Sequence, residues 1–337
     1  MMIGFGSMLK DYLDYYKISQ SDFAMRLGIS TKHMNEILNG NTNLSEELIL
    51  AISQLTNIDI NLIFLAESRK KMYQYLHTHF KNDQEIKAFL KSFYLKDLVK
   101  KNWIVLKDES SDVQNSLDLL SFLQLKNFDL FDDYLENRAL FKKKEDANQR
   151  KIYLWIKHCD NLVKDMDVEE YDSSKLPLLL EELRKERNTP FNKERLIALF
   201  AKYGIYLVIE DAIQGTKARG CMMVKKTNPA IYLTTYYKEK SSFYYALYHE
   251  LKHVKSDYNK GKAKILVDDE VEKEADLFAL NEMIPEKTWK EILNNYDQRE
   301  AICQRDDIPL CFLYGKLAYN GLIKYSSKEY NAHKEMI

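Results

Sequence analysis

The sequence predicts an α+β fold that is predominantly α, with a small three-stranded sheet confined to its C-terminal part. Three observations predict it. Gly (10) and Pro (5) are scarce in 337 residues, so little interrupts helices. Over most of the chain, apolar residues recur at the three- and four-residue spacing of a helix face. Between about 204 and 234 the pattern changes to short apolar runs: Gly204-Ile205-Tyr206-Leu207-Val208-Ile209, Arg219 to Lys225, and Ala230 to Thr234, with Thr227-Asn228-Pro229 as a turn.

The length exceeds one typical domain and suits two or three. The expected division is a helix-turn-helix bundle over 1–70, a helical linker over 71–190, a metal-site domain over 191–325, and a frayed tail over 326–337. Charged residues make up 30% of the chain and nearly cancel, at a net of −1, so no global basic excess announces nucleic acid. Cys159, Cys221, Cys303 and Cys311 form no C-x-x-C pair and read as reduced thiols of a cytoplasmic protein. No signal peptide is evident, and apolar runs such as Ile60 to Ala66 are too short to span a membrane.

In the first segment, Ser19 can cap a helix from Gln20 with Phe23, Ala24 and Leu27 on its apolar face. Gly28 suits a turn. Ser30 or Thr31 caps the next helix, with Met34, Ile37 and Leu38 apolar, ending at Asn39-Gly40; another runs from about Ser45 through Leu48, Ile49, Ile52 and Leu55. Helix, short glycine turn, helix is the helix-turn-helix pattern. The string Ile18-Ser19-Gln20, Phe23 to Ser30 and Glu36 to Gly40 resembles the XRE (lambda-repressor-like) family, nearest its antitoxin-type branch. That resemblance implies a recognition helix in the major groove. Thr31, Lys32, His33 and Asn35 would contact bases and phosphates, and Gln20 would contact a phosphate. It also implies an operator DNA partner and a homodimer matched to a two-fold site. Charge sets a competing expectation. From Met1 to Ala66 there are four basic residues (Lys10, Lys17, Arg26, Lys32) and seven acidic ones (Asp11, Asp14, Asp22, Glu36, Glu46, Glu47, Asp59), a net of −3. Phosphate neutralisation dominates DNA affinity, so a module that binds only protein is the alternative.

From about 72 to 190, Leu and aromatic stripes such as Leu90, Phe93, Tyr94 and Leu98 read as helix faces turned to a core. Lys142-Lys143-Lys144 reads as a solvated face, and His77, His79 and His158 have no metal-like companions. The stretch Asn115 to Lys144 loosely resembles the helical linker of fused XRE–peptidase proteins.

The chemistry lies in His249-Glu250-Leu251-Lys252-His253, on a helix expected from about Ser241 to Ser256 with Phe243, Leu247, Leu251 and Val254 buried. Two His four residues apart share a helix face and can grip one metal ion, while the Glu between them can deprotonate a water. A second helix, from about Asp268, carries Glu272 and Asp276 on one face. That spacing lets Glu272 bind the metal and Asp276 orient a ligand His through its other ring nitrogen. Glu274 is the competing third ligand. Ile231 to Thr235 is the expected edge strand for a substrate backbone.

Asn228 to Leu233, Phe243 to His253, and Glu272-x-Glu274-Ala275-Asp276-x-Phe278-Ala279 with Met283-Ile284-Pro285 resemble the ImmA/IrrE family of metallopeptidases. The resemblance runs from about Gly204 through Trp289 and implies a zincin-like domain with a gluzincin-like third ligand. His249, His253 and Glu272 would bind Zn2+ (or Mn2+ or another divalent ion), and Glu250 would be the general base. Tyr236 or Tyr237 would stabilise the oxyanion. Family members more often have Gly where this chain has Lys252. The resemblance implies a DNA-binding regulator whose endopeptidase domain cleaves itself or a partner repressor or antitoxin-like protein upon stress or signal. The alternative is a non-proteolytic antitoxin or repressor whose metal domain is a sensor or partner-binding module.

Overall fold

The structure, a computed structural model, describes residues 4–131, 147–216, 218–235, 238–258 and 269–337. The chain divides into two units, 1–126 and 127–337.

In the first unit, α1 (Phe5–Tyr16) buries Phe5, Leu9 and Leu13. Serines start the next three helices: α2 (Gln20–Leu27), α3 (Thr31–Leu38) and α4 (Glu46–Thr56). The hydroxyls of Ser19, Ser30 and Ser45 accept the main-chain N–H of Asp22, His33 and Leu48 at 3.1, 3.1 and 3.2 Å. Each hydroxyl satisfies a donor that the first helical turn leaves unpaired. Ser30, not Thr31, is therefore the cap of α3. Gly28 ends α2 in the left-handed region at φ 70°, a conformation that glycine adopts without strain. Gly6 serves a different need: a Cβ there would lie 2.2 Å from the Ile37 carbonyl oxygen, so only glycine lets α1 approach the end of α3. The core of this bundle joins α1 to Phe23, Met34, Ile37, Leu38, Ile49, Ile52 and Ile63.

α5 (Ile60–His79) runs on through residue 70 and carries a buried carboxylate. Glu67, 5% exposed, accepts the N–H of Phe5 at 3.2 Å and of Leu44 at 3.3 Å. It caps α1, whose own N-cap glycine has no side chain to do so. Beside it, buried Lys70 donates to the Thr42 carbonyl. α6 (Asp83–Ser92), α7 (Leu95–Lys100) and α8 (Asp112–Leu123) complete the unit. The segment expected as a linker over 71–190 thus divides between the two units, and Lys142 to Lys144 lie outside the described residues.

In the second unit, α9 (Ala147–Leu162), α10 (Leu176–Glu186) and α11 (Lys193–Lys202) precede the sheet. Its strands are β1 (Tyr206–Ile209), β2 (Gly220–Lys225) and β3 (Asn228–Leu233), in the order β1-β3-β2. β3 pairs parallel with β1 (Tyr206 opposite Ala230) and antiparallel with β2 (Met222 opposite Ile231). This corrects the expected edge: Ile231 to Leu233 lie in the central strand, hydrogen-bonded on both sides and buried. The half-buried β2 is the outer strand beside the helix Lys240–Asp257, and β1 is the opposite edge. β3 cannot be an edge because its main chain pairs with β1 on one side and β2 on the other.

α12 (Lys240–Asp257) packs on β2 and β3 and buries Phe243, Leu247, Leu251 and Val254, the stripe expected from spacing. α13 (Asp269–Met283) packs along α12 through fully buried Ala275 and Ala279. α14 (Glu286–Asn294), α15 (Arg299–Arg305), α16 (Leu310–Tyr319) and α17 (Lys328–Ala332) close the unit. The tail is docked, which corrects the frayed end. Tyr330 is buried in the core and donates to Glu239, Met336 bridges to Glu239, and the Ile337 N–H donates to the Lys238 carbonyl at 3.1 Å. An aromatic anchor and main-chain pairing hold what composition alone would leave loose.

Two buried cations cap the C-terminus of α13. Arg187 Nη1 donates to the Glu282 carbonyl at 2.6 Å, and Lys316 Nζ to those of Leu280 and Ile284 at 2.9 Å each. Burial lowers the Lys316 amine to about 8. The unfolded chain holds this proton to about 10.4, so between about 8 and 10.4 it binds more protons than the folded chain. Stability should therefore rise across that window, by about 3 kcal/mol at most. Urea unfolding at the two ends of the window should show this rise in the native chain and lose it in Lys316→Met.

Candidate metal centre and nucleic-acid interface

α12 sets His249 and His253 one turn apart on the same face, with their Nε2 atoms 3.2 Å from each other. Glu272, in the first turn of α13, brings Oε2 to 3.2 Å from His249 Nε2 and Oε1 to 3.5 Å from His253 Nε2. Among the described residues these three form the group that could hold a metal ion, with all donor atoms within 4.8 Å of one another. The separations fit zinc. Bonds of about 2.05 Å in a tetrahedron put neighbouring donors about 3.3 Å apart.

The donor set is also correctly prepared. His249 Nδ1 lies 2.9 Å from Asp276 Oδ1. A ring that donates Nδ1–H to a carboxylate keeps its Nε2 lone pair for a cation. Burial disfavours a charged His249, but the carboxylates of Glu272, Glu250 and Asp276 outweigh it and raise its pKa. Glu274 turns elsewhere: its Oε2 lies 3.1 Å from Lys252 Nζ. The unusual lysine in the motif thus pairs with the competing carboxylate and leaves Glu272 as the acid beside the histidines.

Glu250 is 7% exposed. Burial raises its carboxyl above the usual range, opposed by His249 and His253, reinforced by Glu272, and opposed again by the Met222 main-chain N–H. Its neighbour on the outer strand is Gly220, where a Cβ would come 3.1 Å from Glu250 Oε1 and 2.9 Å from the Tyr232 carbonyl. The absent side chain gives the carboxylate its space. A buried carboxylate, three convergent donor side chains and an outer strand form one constellation.

Spacing could have identified one further residue. Tyr245 precedes His249 by four and His253 by eight, on the same helix face. Its hydroxyl donates to Asp276 Oδ1 at 2.5 Å. The Arg219 guanidinium lies 5.6 Å over its ring, and the Tyr319 ring is 5.8 Å away. Tyr236 and Tyr237, expected at the oxyanion, lie outside the described residues.

In the first unit, α3 exposes Thr31, Lys32 and Asn35, and α2 exposes Gln20 at its start. His33 is only partly exposed. It precedes buried Met34 by one residue and Ile37 by four, and its Nε2 is enclosed without a hydrogen-bond partner among the described residues. Asn35 Oδ1 accepts from Asn39 at 2.9 Å, and Arg26 pairs with Asp22 at 2.7 Å.

Residues 9–63 match the family model described as Helix-turn-helix. This match supports a DNA-binding regulator of the XRE type. No curated protein and no solved structure matches the chain. Among the described residues, no helix is long and apolar enough to cross a membrane.

Proposed function

We propose that this DNA-binding regulator carries a zinc-dependent endopeptidase of the ImmA/IrrE type on a zincin-like second unit, and that it cleaves itself or a partner regulatory protein. The observation that carries the reading is the convergence of His249, His253 and Glu272 beside the buried carboxylate of Glu250. A binding module needs the three ligands but has no use for the base.

His249, His253 and Glu272 would hold the ion, and Asp276 fixes the His249 ring. Bound zinc supplies Lewis acidity, polarising a carbonyl oxygen and acidifying a water. Glu250 accepts a proton from the attacking water and delivers it to the leaving amine nitrogen. The outer edge of β2, beside α12, offers main-chain groups along which an extended peptide adds as a further strand. Exchange of Glu250 for Gln tests the reading: cleavage should be lost with zinc retained.

The DNA half has its own expected signature. Lys32 is the one basic residue of α3, and Arg26 of α2 is paired with an acid. Few phosphates can be neutralised, so log K against log salt should fall with a slope of only roughly −2 per chain. Lys32→Ala should flatten that slope by about 1. Titration of the protein's own promoter DNA at several salt concentrations measures both. Absence of specific, salt-sensitive binding would make the first unit a protein-binding module.

A further inference from the structure

We propose that Tyr245 is a positioning residue of the metal centre, holding Asp276 where that carboxylate orients His249. The inference rests on the metal-centre reading above. Its geometric basis is a shared acceptor: Asp276 Oδ1 takes the Tyr245 hydroxyl at 2.5 Å and His249 Nδ1 at 2.9 Å.

Asp276 needs such a hold. Its side chain is 39% exposed, so solvent offers its carboxylate other partners and rotamers. A carboxylate that swings away leaves the His249 ring free to turn and to place its proton on either nitrogen. Tyr245 prevents this from the same helix as His249, one turn earlier, so donor, acceptor and ligand stand in a fixed relation. The phenol ring lies under the Arg219 guanidinium, with the Tyr319 ring packed beside it. Burial and the hydrogen bond to Asp276 raise its pKa, so the hydroxyl keeps the proton it donates.

The test is a double-mutant cycle read by zinc affinity in the full chain. Tyr245→Phe keeps the ring and its packing and removes only the donor. It should weaken zinc binding, measured by chelator competition, roughly tenfold, the lower end of what outer-shell partners contribute. Asp276→Ala should weaken it about 10- to 100-fold. Because Tyr245 acts through Asp276, the double variant should bind zinc within about twofold of Asp276→Ala alone. Additive losses overturn the proposal, as does an unchanged affinity in Tyr245→Phe. A second readout needs no metal: at a pH high enough to keep the His249 ring neutral, nitrogen NMR of the zinc-free chain should show the Nδ1–H tautomer in the native protein and a mixture in Tyr245→Phe. An identical tautomer in both overturns the proposal. A native chain that binds no zinc but shows the tautomer change overturns the metal reading and upholds the positioning role.

Discussion

Replacing Glu250 with Gln is expected to reduce peptide cleavage by about 10²- to 10⁴-fold, the range over which a positioned acid–base group contributes. The exchange preserves size and hydrogen-bonding shape and removes basicity. Zinc content should stay at one ion per chain, because His249, His253 and Glu272 are the proposed ligands and Glu250 is not one of them. In the metal-free chain burial lifts the Glu250 carboxyl above its ordinary value, and a bound cation would oppose that rise. The base works only when ionised and the two histidines bind a cation only when neutral, so cleavage should fall with acid. Mass spectrometry of a mixed peptide pool and of the protein itself, beside metal analysis, gives the measurement. Equal behaviour of the native chain and Glu250→Gln in both cleavage and cells would sink the proteolytic reading and favour the sensor or partner-binding alternative.

The second large effect is expected in the first unit. Glu67→Ala should destabilise it by about 2–6 kcal/mol, because two buried N–H groups, those of Phe5 and Leu44, lose their acceptor at about 1–3 kcal/mol each. Glu67→Gln, which keeps one carbonyl oxygen, should cost less. Hydrogen exchange resolved along the chain is the appropriate probe, since two units need not unfold together. Amides of α1 and α3 should lose protection while those around the sheet keep theirs. A shift below about 0.5 kcal/mol, the scale of an ordinary surface change, would mean that Glu67 does not cap α1.

The helices of the first unit were legible because their signals are local. Ser19, Ser30 and Ser45 act on N–H groups three residues on, and Gly28 acts on its own φ. The same holds for the α12 face: four residues make one turn, so His249 and His253 converge, and the buried stripe from Phe243 to Val254 follows from the same periodicity. The strands were legible as runs, and their number and approximate bounds agree with those observed.

Partner choice was not legible in this way. Glu272 and Glu274 are equally acidic, and spacing favours one of them only by assuming a role for Asp276; the Lys252–Glu274 pair supplies the independent reason. That β3 is central depends on its parallel pairing with β1 across more than twenty residues, such as Tyr206 with Ala230. The tail's fate depended on Tyr330 and Met336 meeting Glu239, some ninety residues earlier in the chain. Tyr245 carried a periodic signal, yet its meaning required Asp276 from another helix.

By itself, then, the sequence determined the helix starts, the convergence of the two histidines and the position of Glu250 between them. Each follows from the fixed rise and turn of one helix. The tertiary structure alone decided which carboxylate faces the histidines, which strand edge lies beside them, what holds Asp276 and what secures the tail. Those choices are settled by competition between side chains and strands brought together only when the chain has folded, and no local spacing encodes the outcome.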